Sequence, residues 1–207
     1  MRTFKDIINW LQWNIYEEDG LTPCFQITPA AQPLELDEAL AARGYGANGH
    51  SLVQRAGLLC GSDAAASGPD VRLTARAGAA WCAALQAGGP REQGLAKCQI
   101  LERIELPCAF VACGPEAAPD AIGLGIRDGA VVWLNSMYAR PEARGRGLAR
   151  RLLAAIAGWA VEQGAEALML QVEADNAPAR RLYDGFGFST LYPYHYRSKP
   201  LQRTKTC

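Results

Sequence analysis

The sequence predicts an α/β (α+β) fold, on three observations. Strand and helix signals alternate along most of its 207 residues. Three strand signals follow one another, CAFVAC (108–113), AIGLGIRDG (121–129) and AVVWLNSMYA (130–139), with a turn at Asp128-Gly129, which is the pattern of an antiparallel meander. After the meander, a glycine-rich turn runs into a helix whose apolar positions Leu148, Leu152, Ile156 and Ala160 sit four apart, with Leu153 beside them.

In chain order, Phe4, Ile7, Ile8, Leu11 and Ile15 have helical spacing and Gly20 follows, so an amphipathic helix is expected over 3–18. CFQIT (24–28) reads as a strand, LELDEALAARGY (34–45) as a helix stopping at Gly44, and HSLVQRA (50–56) as a strand. GLLCGSDAAASGPD (57–70) is rich in Gly, Ala and Ser without periodicity, which marks a linker. A strand is expected at 71–75 and helices at 77–86 and 91–104, ahead of the meander. Beyond the 148–160 helix come a strand at 166–173, a helix at 177–186 and a last strand at 190–197.

The two ends of the chain resemble each other weakly. Phe25-Gln26-Ile27 matches Leu170-Gln171-Val172, and Gly44-Tyr45 matches Gly187-Phe188 at a similar separation. We read residues 1–57 as a partial, degenerate repeat unit, 58–70 as a linker and 71–207 as the complete domain. The first unit has no counterpart of Arg144 to Ala149, so it is expected to contribute structure, with Trp10 and Trp13 walling the neighbouring site or packing in a core.

Composition narrows the function. Hydrophobic residues make up 49% of the chain, enough for a full core, and 21 basic residues balance 21 acidic ones, so nothing overall points to nucleic acid or to an anionic membrane. No apolar run is long enough to span a bilayer, and a charge interrupts the N-terminal apolar stretch MRTFKDIINW, so a cytoplasmic location is expected. The seven cysteines are odd in number and form no C-x-x-C, and only His50 and His195 are available as imidazole ligands, so neither a disulfide framework nor a metal centre is expected.

The glycine-rich turn carries the chemistry. In ARGRGLA, Gly145 and Gly147 let a backbone approach an anion, Arg144 and Arg146 add fork-shaped cationic donors, and the helix starting near Leu148 and Ala149 turns its unpaired N–H groups and positive dipole end outward. That arrangement suits phosphate. A Walker loop would need Lys-Ser/Thr after its second glycine, and a dinucleotide fingerprint would need glycine where Arg150 stands, so both are excluded.

Arg144-Gly145-Arg146-Gly147-Leu148-Ala149 resembles the R/Q-x-x-G-x-G/A signature of the GNAT superfamily of acyl-CoA N-acyltransferases. Asn176, Ala179, Leu182 and Tyr183 fit the N-x-x-A-x-x-L-Y pattern downstream in that family, and Gly185-Phe186-Gly187-Phe188 is similar to its G-F ending. The resemblance covers about residues 71–197. It implies a mixed central sheet with helices on both faces, splayed between the fourth and fifth strands of the domain so that pantetheine lies in the gap. Acetyl-CoA is then the co-substrate, with no metal.

Met137, Tyr138 and Ala139 would offer the strand edge to the pantetheine amides, residues 144–149 would take the pyrophosphate, and Asn176 would bond the pantetheine arm or simply cap its helix. The implied reaction is attack by a neutral amine on a thioester. Tyr183 matches the family acid that protonates the leaving thiolate, and the Met137 N–H is placed to donate to the oxyanion. Some relatives carry a base on the fourth strand, but the matching position here is Val131, which leaves Glu173 as the carboxylate nearest the expected cleft, alongside deprotonation through water. Cys108 and Cys113 alternate within a strand without a nearby histidine and read as buried structural residues.

The sequence thus points to an N-acetyltransferase acting on a small-molecule or peptide amine. A non-catalytic acyl-CoA sensor or a structural adaptor on the same fold are the alternatives, and a homodimer stays open.

Overall fold

The computed structural model describes residues 22–58, 68, 70–88 and 91–199. The helix expected over 3–18, both its tryptophans and most of the 58–70 segment lie outside the described residues. The elements are β1 (Cys24–Ile27), α1 (Leu36–Ala41), β2 (Gly46–Gly57), β3 (Val71–Thr74), α2 (Ala79–Ala87), α3 (Arg91–Leu101), β4 (Cys108–Cys113), β5 (Ala121–Asp128), β6 (Val131–Ala139), α4 (Leu148–Glu162), β7 (Ala167–Glu173), α5 (Ala177–Asp184) and β8 (Ser189–Ser198).

Two compact units emerge from the packing: residues 54–172 with 176–190, and Met1–Val53 with Glu173–Asp175 and Leu191–Cys207. In the larger, the strand order is β2-β7-β6-β5-β4-β3. Strands β3 to β6 run antiparallel, whereas β6 and β7 pair in parallel, so the sheet is mixed. The β5–β6 hairpin closes through Gly129 and Ala130 between the paired residues Asp128 and Val131. Gly129 sits at φ +58, the left-handed conformation that this turn needs at its first position.

Alternation along β5 determines what covers each face. Ile122 and Leu124 point to one side, where they join Phe110 with Trp81, Ala84 and Leu85 of α2 and Cys98 of α3 in a buried cluster. The Trp81 indole donates to the Val111 carbonyl at 3.1 Å, so the large ring is buried with its polar group satisfied. Gly123 and Gly125 point to the other side, which α4 covers: a Cβ on Gly125 would lie 2.7 Å from Cγ2 of Ile156. Leu152, Leu153 and Ile156 of α4 are fully buried, each worth roughly 1.5–3 kcal/mol in removed apolar surface. Helices therefore pack on both faces of this sheet.

In the smaller unit β1 pairs antiparallel with β8, from Cys24 opposite Ser198 to Ile27 opposite His195. Ile27, Leu40 and Tyr45 form its buried cluster. Asp37 of α1 accepts from His195 at 3.0 Å and from Arg197 at 2.6 Å, and His195 stacks on His50 with centroids 5.3 Å apart. The Arg197 guanidinium beside it, aided by His195 and opposed by partial burial, holds the Asp37 carboxyl down at about 2.

Helix α1 is shorter than the expected 34–45 because it closes early. The Gly44 N–H bonds to Ala41 O, the Tyr45 N–H bonds to Leu40 O, and Gly44 takes φ +82. Gly187-Phe188 ends α5 in the same way, by bonds to Asp184 and Tyr183, and Gly164-Ala165 ends α4 likewise. Gly44-Tyr45, Gly187-Phe188 and Gly164-Ala165 thus close three helices by the same pair of backbone bonds.

Candidate active site

Two neighbouring parallel strands part company in the larger unit. Strands β6 and β7 pair at Val131–Ala167, Val132–Leu168 and Trp133–Met169, and their register ends there, although β6 runs on to Ala139 and β7 to Glu173. On its other edge β6 stays bonded to β5 as far as Ala139–Ala121. Residues 134–139 consequently present an edge toward β7 that β7 does not fill. Val131, where some relatives would carry a base, is locked into the ladder at the far end of the strand.

A bulge lies within that stretch. Ile122 pairs with Tyr138 and Leu124 with Asn135, so Ser136 and Met137 together face the single residue Gly123. Ser136 takes φ +51, an uncommon conformation for a residue with a Cβ. Room for the bulge comes from Gly123, where an added Cβ would meet the Met137 sulfur at 2.6 Å.

From Ala139 the chain makes one 3-10 turn, Pro141–Ala143, and enters the glycine-rich loop. Gly145 and Gly147 take φ +73 and +74, and a Cβ built on either would meet nothing within 4 Å, so open space lies beside both. Gly147 is the N-cap of α4 and supplies no side-chain acceptor, which leaves the first N–H groups of the helix available at the positive end of its dipole. Leu148, buried at 6% exposure, anchors the turn to the core, and Ala149 is half-buried. The loop thus meets the requirement for an anion such as a pyrophosphate: a glycine-lined hollow beside unpaired helical N–H groups.

The two arginines are already engaged. Arg144 Nε donates to Ala139 O at 3.3 Å, bracing the loop against the strand end, and Arg146 pairs with Asp120 at 3.5 Å while 60% exposed. Neither Asp120 nor the Arg144 brace had a signal in the sequence, since each joins residues through the fold.

Asn176 caps α5, its side-chain oxygen accepting from the Ala179 N–H at 3.1 Å, and the amide nitrogen of the same side chain is still a donor. Tyr183, near the end of α5, is 7% exposed and meets Phe188 edge to face at 5.6 Å. Burial pushes its phenol above the usual tyrosine range, so it stays protonated at neutral pH. Glu173 is exposed at the end of β7 and groups with the smaller unit. Burial also raises the Cys108 and Cys113 thiols; Cys108 donates to Leu106 O and Cys113 to Asp70, as packed residues rather than nucleophiles do.

A cavity of about 160 Å³ opens beside the bulge. Ser136, Met137 and Tyr138 form its floor, and α2 and α3 contribute its walls. Gly88 makes space for the floor: a Cβ there would lie 2.9 Å from the Tyr138 ring. The sequence marked α3 as a helix, but nothing in its pattern showed that it would face this bulge.

Among the described residues no helix is long and apolar enough to cross a membrane. Residues 91–188 match the acetyltransferase (GNAT) family. An uncharacterized N-acetyltransferase of Bacillus subtilis, YobR, is 30% identical over 193 residues, covering 89% of this chain and 76% of that protein. The aminoglycoside N(6')-acetyltransferase type 1 of Serratia marcescens is 32% identical over 81 residues, covering 39% of this chain and 56% of its own. In fold, the GCN5-related N-acetyltransferase of Sphaerobacter thermophilus superposes with a TM-score of 0.66 at 19% identity, covering 95% of this chain and 68% of that one.

Proposed function

The chain belongs to the acetyltransferase (GNAT) family, and from that premise we propose that it moves an acetyl group from acetyl-CoA to a primary amine of a small molecule by direct attack. The observation that carries this reading is the end of the β6–β7 ladder after Trp133 and Met169, a few residues before the bulge and the glycine-lined loop. An extended pantetheine needs amide partners along a strand edge, and the unfilled edge of Met137 to Ala139 has them. The pyrophosphate then falls on Arg144, Gly145, Arg146, Gly147, Leu148 and Ala149, with the Asn176 amide nitrogen donating to the pantetheine arm.

Acetyl-CoA brings the thioester whose carbonyl carbon the amine attacks: a C–N bond forms, the C–S bond breaks and the thiolate leaves. The Met137 N–H stabilises the negative charge that develops on the carbonyl oxygen. Tyr183 supplies the proton to the departing sulfur; burial raises its pKa, so the phenol holds that proton at neutral pH until the thiolate develops. The ammonium proton of the acceptor leaves through water or to Glu173, the exposed carboxylate ending β7. Thiol release from acetyl-CoA against a panel of primary amines tests the reading, together with calorimetric binding of CoA. Transfer to at least one amine is expected; CoA binding without transfer to any amine would make the protein a sensor.

A further inference from the structure

We infer that the acceptor is a small primary amine bearing an anionic group, a carboxylate or a phosphate, which Lys97 receives; this rests on the acetyl-transfer reading above. The cavity beside the bulge holds about 160 Å³, far below the roughly 300–1,000 Å³ of sites for drug-sized ligands and close to the roughly 150 Å³ that accommodates benzene. It suits an acceptor of a few heavy atoms.

Its chemistry is polarised. Ser136 and the adjoining Met137 line it from the bulge of β6, where the acetyl-transfer reading puts the thioester carbonyl. From α3, Gln93 and Lys97 belong to the lining, while Leu85 of α2 adds apolar wall. Lys97 is the one charged group among the described residues that line the cavity, and no carboxylate lines it there. A second cation beside Lys97 would be repelled, with no carboxylate among the described lining residues to neutralise it, whereas an anion would gain a charge-assisted hydrogen bond together with the Gln93 amide. The close contact of the helices fixes this wall: a Cβ on Gly94, one turn before Lys97, would lie 2.7 Å from the Gln86 backbone. An amine whose anionic group docks on Lys97 therefore has its nitrogen directed toward Ser136 and Met137. A polycationic acceptor, as the name of the Serratia relative implies for that protein, does not fit this cavity.

The test is thiol release by the full chain at saturating acetyl-CoA, with ethanolamine, β-alanine, phosphoethanolamine, spermidine and kanamycin as acceptors, for the parent, Lys97→Met and Lys97→Glu. Lys97 is exposed on its helix, so both variants keep the fold. We expect kcat/KM for an anionic amine to exceed that for the cationic ones by at least about tenfold, with β-alanine and phosphoethanolamine distinguishing a carboxylate from a phosphate. Lys97→Met should raise KM for the anionic amine about tenfold while kcat changes little, and added salt should weaken the parent far more than this variant. Lys97→Glu should shift preference toward spermidine. Faster turnover of spermidine or kanamycin by the parent, or an unchanged KM in Lys97→Met, overturns the inference. If no amine of any charge releases thiol, the transfer reading itself fails and takes this inference with it.

Discussion

The sulfur of Met137 lies over Gly123, at the one place where β6 carries two residues against a single residue of β5. The absent side chain of Gly123 is what allows the bulge to fold back onto the sheet, and the bulge in turn sets the direction of the Met137 N–H and of the cavity floor. Gly125, two residues on, faces the same way but answers to the rigid, buried Ile156 instead.

The two glycines should therefore respond differently to alanine. In Gly125→Ala the new Cβ meets Cγ2 of Ile156 and, at 3.2 Å, Cγ1 of Val132, both fixed in a packed core, so stability should fall by about 1–3 kcal/mol. In Gly123→Ala the obstacle is a flexible methionine, which can swing away at less cost in stability but takes the bulge with it. Urea unfolding should show the larger loss in Gly125→Ala, and the larger loss of kcat should be in Gly123→Ala. The reverse order would separate the bulge from the chemistry.

At Gly147 the prediction concerns the anion. The residue holds φ +74 with open space around it, so asparagine, which tolerates this conformation, should fold well there, whereas valine should cost about 1–2 kcal/mol in backbone strain. Both put a side chain into the hollow, and both should weaken CoA binding at least tenfold, about 1.4 kcal/mol, in calorimetry. Full affinity in a folded Gly147→Asn protein would remove the loop from the site. One CoA per chain is the expected stoichiometry, since residues 1–57 have no counterpart of the Arg144 to Ala149 loop that opens a helix.

What could be read in advance follows from where each determinant lies. The hairpin at Asp128-Gly129, the helix carrying Leu148, Leu152 and Ile156, and the Asn176 cap are local: each is set by residues within a turn or two, and the sequence displays them. The bulge is not local. Ser136 takes its left-handed backbone without the glycine or asparagine that would announce it, because the space it needs is provided by Gly123 on the next strand. Lys97 likewise stands in a helix with no local mark of a site; the packing of α3 against α2 brings it to the cavity.

In the smaller unit, Asp37 should make stability sensitive to acid. Its carboxyl is held at about 2, below its usual 3.8, chiefly by Arg197, so the unfolded chain takes up the proton first as pH falls. The contribution is fully present above about pH 4 and disappears as pH drops toward 2. With the side chain 36% exposed, solvent screening keeps it small. Asp37→Asn should be less stable than the parent at neutral pH and should lose less on acidification from pH 4 to 2, measured by urea midpoints. Parallel curves for the two proteins would show that the Arg197 pair adds nothing.

Tyr183 separates an enzyme from a binder. Its carbonyl accepts the Phe188 N–H at 3.0 Å and its ring is packed by Phe188, so the helix end fixes the phenol before any ligand arrives. Tyr183→Phe keeps the ring and that closure and removes only the proton, so the fold and CoA affinity should survive. If the phenol protonates the leaving thiolate, kcat should drop by about 10² to 10⁴. Burial raises the Tyr183 pKa above its ordinary 10.0, which means the acid remains protonated through pH 9 and kcat of the parent should show no fall from this group before pH 10. The parent and Tyr183→Phe should then differ by a constant factor from pH 6 to 9. Equal turnover across that range would return Tyr183 to packing alone, and a factor that shrinks as pH rises from 6 to 9 would mean that the group lost in the variant titrates far below a buried phenol.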